Sequence, residues 1–96
     1  MGIIKLLPLV GEFAENKDIA RDIRVKKIVP ILENKDDVIL DFEHVKSTTQ
    51  SFIHALISEL IRVYGNDVLD KLTFKNCSPV VQKIIGIVVD YMQESR

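Results

Sequence analysis

The feature that most constrains this chain is an apolar run, interrupted only by Asp41, that leads through a polar loop into a helical pattern. Residues 38–42 read Val, Ile, Leu, Asp and Phe. Such a run is typical of a strand covered on both faces, as in a parallel sheet. Hydroxyl side chains are concentrated at residues 47–51, just before the next apolar period begins. The segment therefore predicts a buried strand, a loop and a helix whose first backbone amides favour negative charge.

Length and composition predict one small domain over residues 1–96, near the small end of what folds alone. Hydrophobic residues make up 47% of the chain and charged residues 28%, which is ordinary for a globular protein. The formal net charge of −1 gives no indication of a nucleic-acid partner. No run approaches the roughly 18 apolar residues of a membrane span, so we expect no membrane partner. Cys77 has no second cysteine to pair with, which fits a cytoplasmic location.

Two of the three predicted helices each begin at a single capping residue. A helix is expected over residues 17–32, with Asn16 as its N-cap and a kink in the last turn at Pro30. The last helix is expected to begin at Pro79 with Ser78 as its N-cap. The face that this last helix turns inward is predicted to consist of Val80, Val81, Ile84, Ile85, Val88, Tyr91 and Met92.

The remaining helix is expected over residues 48–64, beginning with a capping box of Ser47 and Gln50 and ending at Gly65. Apolar residues recur at helical spacing and predict one broad buried face. Its members are Phe52, Ile53, Leu56, Ile57, Leu60, Ile61 and Tyr64. A polar stripe with similar spacing is expected to face solvent and comprises Ser51, His54, Ser58 and Arg62.

Two further strands are predicted, at residues 3–7 and at Leu72–Lys75, with a turn or the close of a hairpin at residues 11–13. The order β-α-β-α-β-α predicts right-handed parallel crossovers. We therefore expect an α/β fold with a small three- or four-stranded, mainly parallel sheet packed with three helices. Residues 38–42 should pair in parallel with Leu72–Lys75.

Two polar loops, residues 41–51 and 76–78, are expected at the carboxyl ends of the strands, where parallel sheets collect ligands. One interpretation is a shared patch for an anion or a partner segment. The other is that the capping residues have no further role. The hydroxyl residues that exceed the needs of one cap, and that keep the first interpretation open, are Thr48, Thr49 and Ser51.

No combination of side chains predicts catalysis. His44 and His54 are the only histidines, and no spacing resembles a zinc site. Cys77 precedes the last helix, but no positioned base is visible from the sequence. Asp41 is open to two interpretations: a metal or base carboxylate, or a residue that bonds the backbone of the following loop. Glycine-rich phosphate loops are absent. We therefore expect no enzymatic activity, catalytic residue, cofactor or metal.

Basic residues are concentrated in the first helix. Asp18 and Asp22 interrupt the run, and no aromatic residues alternate with it to stack on bases. We interpret the run as a solvated face and expect no nucleic-acid partner. Its members are Lys17, Arg21, Arg24, Lys26 and Lys27.

Residues 38–45 read VILDFEHV, and residues 49–56 read TQSFIHAL. Together with LTFKNC at residues 72–77 and the valine-rich last helix, these segments resemble the bacterial STAS-like domain of unknown function. The resemblance covers roughly residues 38–92. It implies a small sheet with helices on it and a regulatory role without enzymatic activity.

That family is similar to the anti-sigma-factor antagonists. In the antagonists, a serine of an Asp-Ser-Ser-Gly motif at a helix start is phosphorylated by a partner kinase of the histidine-kinase-like ATPase fold. The motif falls on residues 49–52 here, and Ser51 alone matches it. The resemblance implies binding to another protein, such as an ATPase of that fold or an anti-sigma-type regulator. The expected partner-binding or phosphorylation residues are Ser47, Thr48, Thr49, Ser51, His54, Ser58 and Arg62.

Two other functions stay open from the sequence. A small anion- or nucleotide-binding module, or an enzyme, would use the strand-end patch near Asp41, Ser51 and Ser78. Alternatively, an edge strand or an apolar helix face could pair two copies of the chain as a homodimer.

Overall fold

The computed structural model describes residues 2–94. Its strands in this range are β1 (Gly2–Lys5), β2 (Phe13–Ala14), β3 (Val38–Asp41), β4 (Ser47–Thr48) and β5 (Leu72–Lys75). Its α-helices in this range are α1 (Leu7–Val10), α2 (Lys17–Ile23), α3 (Val29–Glu33), α4 (Gln50–Tyr64) and α5 (Pro79–Glu94). A π-helical segment, Arg24–Ile28, joins α2 to α3, and a 3-10 helix, Asn66–Lys71, precedes β5.

The main sheet is parallel, and β3 is its central strand, in the order β1-β3-β5. The predicted parallel pairing of residues 38–42 with Leu72–Lys75 is confirmed. Phe42 extends the ladder beyond β3, since its backbone N–H donates to the carbonyl of Lys75 at 2.8 Å. The predicted α/β class, with a small parallel sheet packed with helices, is also confirmed.

Only one face of this sheet is well covered. The crossovers from β1 to β3 and from β3 to β5 step in the same direction, and right-handed crossovers then lie on one side. On that side Ile4, Leu40 and Leu72 are buried. On the opposite face Ile3 is 59% exposed and Ile39 is half-buried. The central strand itself is buried at Val38, Leu40 and Asp41 and half-buried at Ile39, so its predicted cover on both faces is confirmed in part.

A second, two-stranded parallel sheet joins β2 to β4, and the sequence analysis did not predict it. Residues 11–13 therefore do not close a hairpin. Ser47 lies beside Phe13 in the ladder, and the Thr48 hydroxyl donates to the carbonyl of Ala14 at 2.8 Å. This small sheet fixes the chain immediately before α4.

The start of α4 differs from the predicted capping box. Ser47 belongs to a strand, so it does not cap the helix with Gln50. Thr49 is the N-cap instead, and its hydroxyl oxygen accepts a hydrogen bond from the Phe52 N–H at 3.1 Å. The helix consequently begins two residues later than predicted.

The first predicted helix is present but irregular. Its predicted N-cap is confirmed, because the Asn16 side chain accepts a hydrogen bond from the Asp18 N–H at 2.8 Å. Residues 17–33 are then helical throughout, with the π-helical segment Arg24–Ile28 in the middle. Pro30 lies two residues after the end of this segment, and its ring nitrogen has no hydrogen to donate.

Arg24 connects this helical segment to α4. Its guanidinium nitrogen Nη1 donates to the backbone carbonyl of Ala55 at 2.7 Å, and the side chain is half-buried. Arg21, Lys26 and Lys27 are exposed, as a solvated face requires. The interpretation of the whole basic run as a solvated face is therefore wrong at Arg24.

The buried face of α4 includes a polar residue in addition to apolar ones. Ser58, predicted to face solvent, is only 4% exposed, because α4 packs against both α2 and α5. Tyr64, predicted to be buried, is 40% exposed in the last turn, where the chain leaves the helix at Gly65. The other predicted positions of this face are buried and comprise Phe52, Ile53, Leu56, Ile57, Leu60 and Ile61.

The inward face of α5 is narrower than predicted. Its buried residues are Val81, Ile85, Val88 and Met92. Val80 and Tyr91 were expected to be buried with them, yet they are 49% and 61% exposed. A helix that packs on one side buries one stripe, and these two residues lie outside that stripe.

Gly65 and Gly86 form a matched pair for testing backbone strain. Gly65 ends α4 with φ +81° and ψ 177°, a conformation that strains any residue with a Cβ. Gly86 lies exposed within α5, and at both positions an added Cβ would meet no atom within 4 Å.

We expect Gly65→Ala to lower the free energy of unfolding by about 1–3 kcal/mol. Gly86→Ala should raise it by about 0.5–1 kcal/mol. Chemical denaturation of both variants measures these changes, and shifts of the same sign would contradict the expectation.

Candidate functional site

Asp41 connects the loops at the carboxyl end of the sheet. Its carboxylate oxygen Oδ1 accepts hydrogen bonds from the backbone N–H of Glu43 at 2.9 Å and from the Asn76 side-chain amide at 3.1 Å. Its backbone carbonyl accepts from the N–H of Leu6 at 3.0 Å. One residue therefore joins the segments that follow β1, β3 and β5. Of the two interpretations of Asp41, bonding to the following loop is the one observed.

These contacts hold the pKa of Asp41 below its usual value of 3.8. The Asn76 side-chain hydrogen bond is the largest cause, and the Glu43 backbone hydrogen bond is the next. Burial acts in the opposite direction, while the charges of Lys75 and Lys5 lower the pKa further. Register places those two lysines beside Asp41 on the neighbouring strands. The charged carboxylate is therefore the form that the fold favours.

A cavity of about 640 Å³ lies over these loops, and we call it the strand-end cavity. Glu12, Glu43, His44 and Lys46 contribute polar walls. The amine of Lys46 lies 3.6 Å from a carboxylate oxygen of Glu12, so its charge is partly offset. Two carboxylates beside a single lysine make this cavity a poor site for an anion.

Ser78 and Cys77 also line the strand-end cavity. Ser78 is the predicted N-cap, since its hydroxyl accepts from the Val81 N–H at 3.2 Å and donates to the carbonyl of Lys46 at 3.1 Å. Burial raises the pKa of the Cys77 thiol, and the Asp41 charge raises it further. A raised pKa disfavours the thiolate, which is the nucleophilic form of cysteine.

A second cavity, of about 470 Å³, lies between α4 and α5. Ser51 and His54 of α4 line one wall, and Ile87 and Tyr91 of α5 line the other. Lys17, the first residue of α2, contributes to its lining beside the start of α4. We call this cavity, lined by Lys17, Ser51, His54, Ile87 and Tyr91, the α4–α5 groove. Ile87 and Tyr91 give the groove apolar surface, and Lys17, Ser51 and His54 give it polar groups.

The groove continues toward the end of α4 in a cavity of about 580 Å³ that shares His54 and Tyr91 with it. Arg62 and Asn66 line this extension. The Arg62 guanidinium is 2.8 Å from the carboxylate of Glu59, so much of its charge is paired.

The structure brings together three of the seven residues predicted to bind a partner. Ser51, His54 and Arg62 are exposed and line the groove or its extension. Ser51 lies in the first turn of α4, directly after Gln50, where a negative charge suits the helix dipole.

The other four residues have structural positions. Thr48 and Ser58 are only 7% and 4% exposed, so the prediction that they lie on the partner-facing surface is wrong. The Thr48 hydroxyl is used within the small sheet, and Ser58 is enclosed by helix packing. Ser47 and Thr49 are half-buried, the first in β4 and the second as the cap of α4.

The predicted single patch near Asp41, Ser51 and Ser78 is also wrong. Ser51 lines the α4–α5 groove, whereas Ser78 lines the strand-end cavity, and the two cavities share no lining residue. The reason is that the β2–β4 sheet separates the end of β3 from the start of α4.

Sequence reasoning missed Lys17, Ile87 and Tyr91 as parts of the groove. The signal for the last two was present, because α5 carries more apolar residues than one buried stripe can use. The contribution of Lys17 depends on how α2 packs against α4, which no local pattern indicates.

Within the described residues, no group of three or more His, Cys, Asp or Glu side chains is placed to hold a metal ion. None of the helices in that range has both the length and the apolar character to cross a membrane.

The small parallel sheet packed with helices is consistent with a STAS-like α/β fold. A family model described as a STAS-like domain of unknown function matches residues 20–82, which is more than half of the chain. The chain belongs to this family, and the expected resemblance is confirmed. The match also begins well before residue 38, so it includes most of the helical segment at residues 17–33. The comparisons with curated proteins and with solved structures give no significant match.

Asp41→Asn tests the connection at the end of β3. The amide oxygen can keep both acceptor contacts but carries no charge, so we expect a loss of about 1–2 kcal/mol of unfolding free energy at neutral pH. The folded-state pKa lies below 3.8, so the contribution of the charge is complete above that pH. It is lost as the pH falls below 3.8 through the folded-state pKa, and the difference between wild type and variant should shrink there.

Urea denaturation at a series of pH values measures this difference. Asp22→Asn, at an exposed position in α2, is the matched control and should change stability little at any pH. A loss for Asp41→Asn that stays constant into the acid range would show that the charge is not its source.

Proposed function

We propose that this chain is a non-enzymatic regulatory domain that binds another protein through the α4–α5 groove. The observation that carries the proposal is the groove itself, in which Ser51 and His54 border the exposed side chains of Ile87 and Tyr91. Exposed apolar surface with a polar rim is a common mark of a protein interface. Tyrosine is also among the residues that most often dominate binding energy.

The charges of the groove indicate which partner chemistry it fits. Lys17 lies beside the first turn of α4, whose backbone amides carry partial positive charge. Ile87 and Tyr91 offer apolar contact area next to them. A complementary partner segment would place a carboxylate near Lys17 and apolar side chains along α5.

Family membership supports a particular class of partner. In the anti-sigma-factor antagonists, to which this family is similar, the matching helix start carries the phosphorylated serine. We therefore propose a histidine-kinase-like ATPase or an anti-sigma-type regulator as the partner, acting in the cytoplasm. Ser51 is exposed at the corresponding position and so is accessible to a kinase. The unpaired thiol of Cys77 is consistent with a reducing compartment.

The alternative of a small anion- or nucleotide-binding module or an enzyme has less support. The strand-end cavity holds Glu12 and Glu43, whose carboxylates repel a phosphate. The Ser78 hydroxyl is already engaged on both sides. The proposed function accordingly involves no cofactor, metal or nucleic acid.

Ser51→Asp tests the cationic end of the groove. A carboxylate in the first turn of α4 suits the helix dipole, so thermal stability should change little. The same charge opposes a partner carboxylate near Lys17, and we expect binding to weaken by about tenfold. Ser51→Ala should bind as the wild type does. Pull-down from a lysate of the native host, paired with thermal melts of the purified variants, gives both readouts. Unfolding of Ser51→Asp, or unchanged capture of every native partner, would place the interface elsewhere.

Tyr91→Ala tests the apolar wall, with Val63→Ala as its control. Tyr91 is 61% exposed in the groove, whereas Val63 is 69% exposed on α4 and lines neither the groove nor its extension. We expect Tyr91→Ala to lower partner affinity by about tenfold or more, since a hot-spot aromatic commonly contributes 2 kcal/mol or more. Val63→Ala should leave the affinity unchanged. The reverse result in a titration with the captured partner would contradict the assignment of the groove.

A further inference from the structure

Helix α5 carries a second apolar stripe beside its buried one. Val80, Ile87 and Tyr91 are 49%, 39% and 61% exposed, and Ile84 between them is half-buried. We call these four residues the outer stripe of α5. They lie on the flank of the helix next to the residues that contact the core.

The spacing of the outer stripe is that of a helix–helix seam. Its members are separated by four, three and four residues, which places them at alternating d and a positions of a heptad. The buried stripe of α5 already packs it against α4 and the small sheet. The outer stripe stays largely exposed beside that contact, and its heptad spacing indicates that a helix from outside this chain packs there.

Two charged residues flank the outer stripe and indicate which helix this is. Lys83 and Asp90 are exposed and both occupy the g position, immediately before an a position of the same heptad register. Two copies of α5 can pack antiparallel about a two-fold axis with Ile84 opposite Ile87 of the second copy. The same register places Val80 opposite Tyr91 of the second copy. In that register Lys83 lies opposite Asp90 of the second copy, twice by symmetry.

A parallel pair of helices would instead bring equivalent residues of the two copies to the same level. Neither Lys83 nor Asp90 would then face an opposite charge. Charge complementarity thus favours the antiparallel arrangement of two identical helices. An isologous contact of this kind closes on itself and leaves no open end for further assembly.

We propose that two copies of this chain pair through the outer stripe of α5, antiparallel about a two-fold axis, with Lys83 of each copy facing Asp90 of the other. The α5 helix of sixteen residues is about 24 Å long. A single helix pair of that length buries an area at or below the low end of stable interfaces, so the dimer is weak and reversible.

Ile87 and Tyr91 belong both to the outer stripe and to the α4–α5 groove. A partner bound in the groove would cover side chains that the dimer also uses. Dimer and partner complex therefore exclude each other.

Charge reversal at the flanking positions tests the arrangement. Sedimentation equilibrium of the full chain over a wide concentration range should show a reversible monomer–dimer equilibrium. Lys83→Asp alone and Asp90→Lys alone each replace two attractive pairs with two repulsive ones, and each should weaken dimerisation by about tenfold. The double variant restores opposite charges and should return to within about twofold of the wild type.

The variants also separate folding from association. Lys83→Asp adds negative charge near the start of α5 and Asp90→Lys adds positive charge nearer its end, so both suit the helix dipole and should melt as the wild type does. Ile87→Glu places a charge in the middle of the outer stripe and should leave only monomer. A wild-type chain that stays monomeric at millimolar concentration overturns the proposal. So does a dimer whose dissociation constant is unchanged by either single reversal, or that persists in Ile87→Glu.

Discussion

The arrangement of loops at the carboxyl end of the sheet depends on one carboxylate, that of Asp41. Its side chain and backbone together hold the segments after all three strands of the main sheet. Lys5 and Lys75 on the flanking strands favour its charge, so the same register that builds the sheet also stabilises the connection. A short sheet of four-residue strands has few ladder hydrogen bonds, and side-chain contacts of this kind therefore matter more than in a larger domain.

The position of α4 follows from contacts at its start and along its length. The β2–β4 ladder fixes the residues before the helix, the Thr49 hydroxyl caps its first turn, and the Arg24 guanidinium holds the carbonyl of Ala55. These contacts come from different parts of the chain and together set the distance between α4 and its neighbours. The α4–α5 groove is therefore a consequence of the fold and does not require an induced movement to exist.

Local signals predicted much of the fold. The apolar run that forms β3, the Asn16 and Ser78 caps and the glycine that ends α4 were all identified correctly, because each depends on neighbouring residues only. The cap of α4 was assigned wrongly for the opposite reason. Ser47 and Thr49 are both common N-cap residues, and serine is the more favoured of the two by type. Their roles are decided by a strand pairing with residues more than thirty positions away. The residues of the candidate site were harder to predict than the helix caps. Thr48 and Ser58 are buried by tertiary packing, which a periodic sequence pattern does not indicate.

Helix α5 has more apolar residues than its contact with the core can bury, and for this reason Val80 and Tyr91 were wrongly predicted to be buried. A single broad apolar arc was predicted, and the structure divides it into a buried stripe and an exposed one. Exposed apolar side chains cost solubility and are not needed to hold the helix on the core, because Val81, Ile85, Val88 and Met92 already do so. The exposed stripe does not hold α5 on the core, and it is the surface through which we propose that two copies pair. Two of its members, Ile87 and Tyr91, line the α4–α5 groove together with Ser51 and His54.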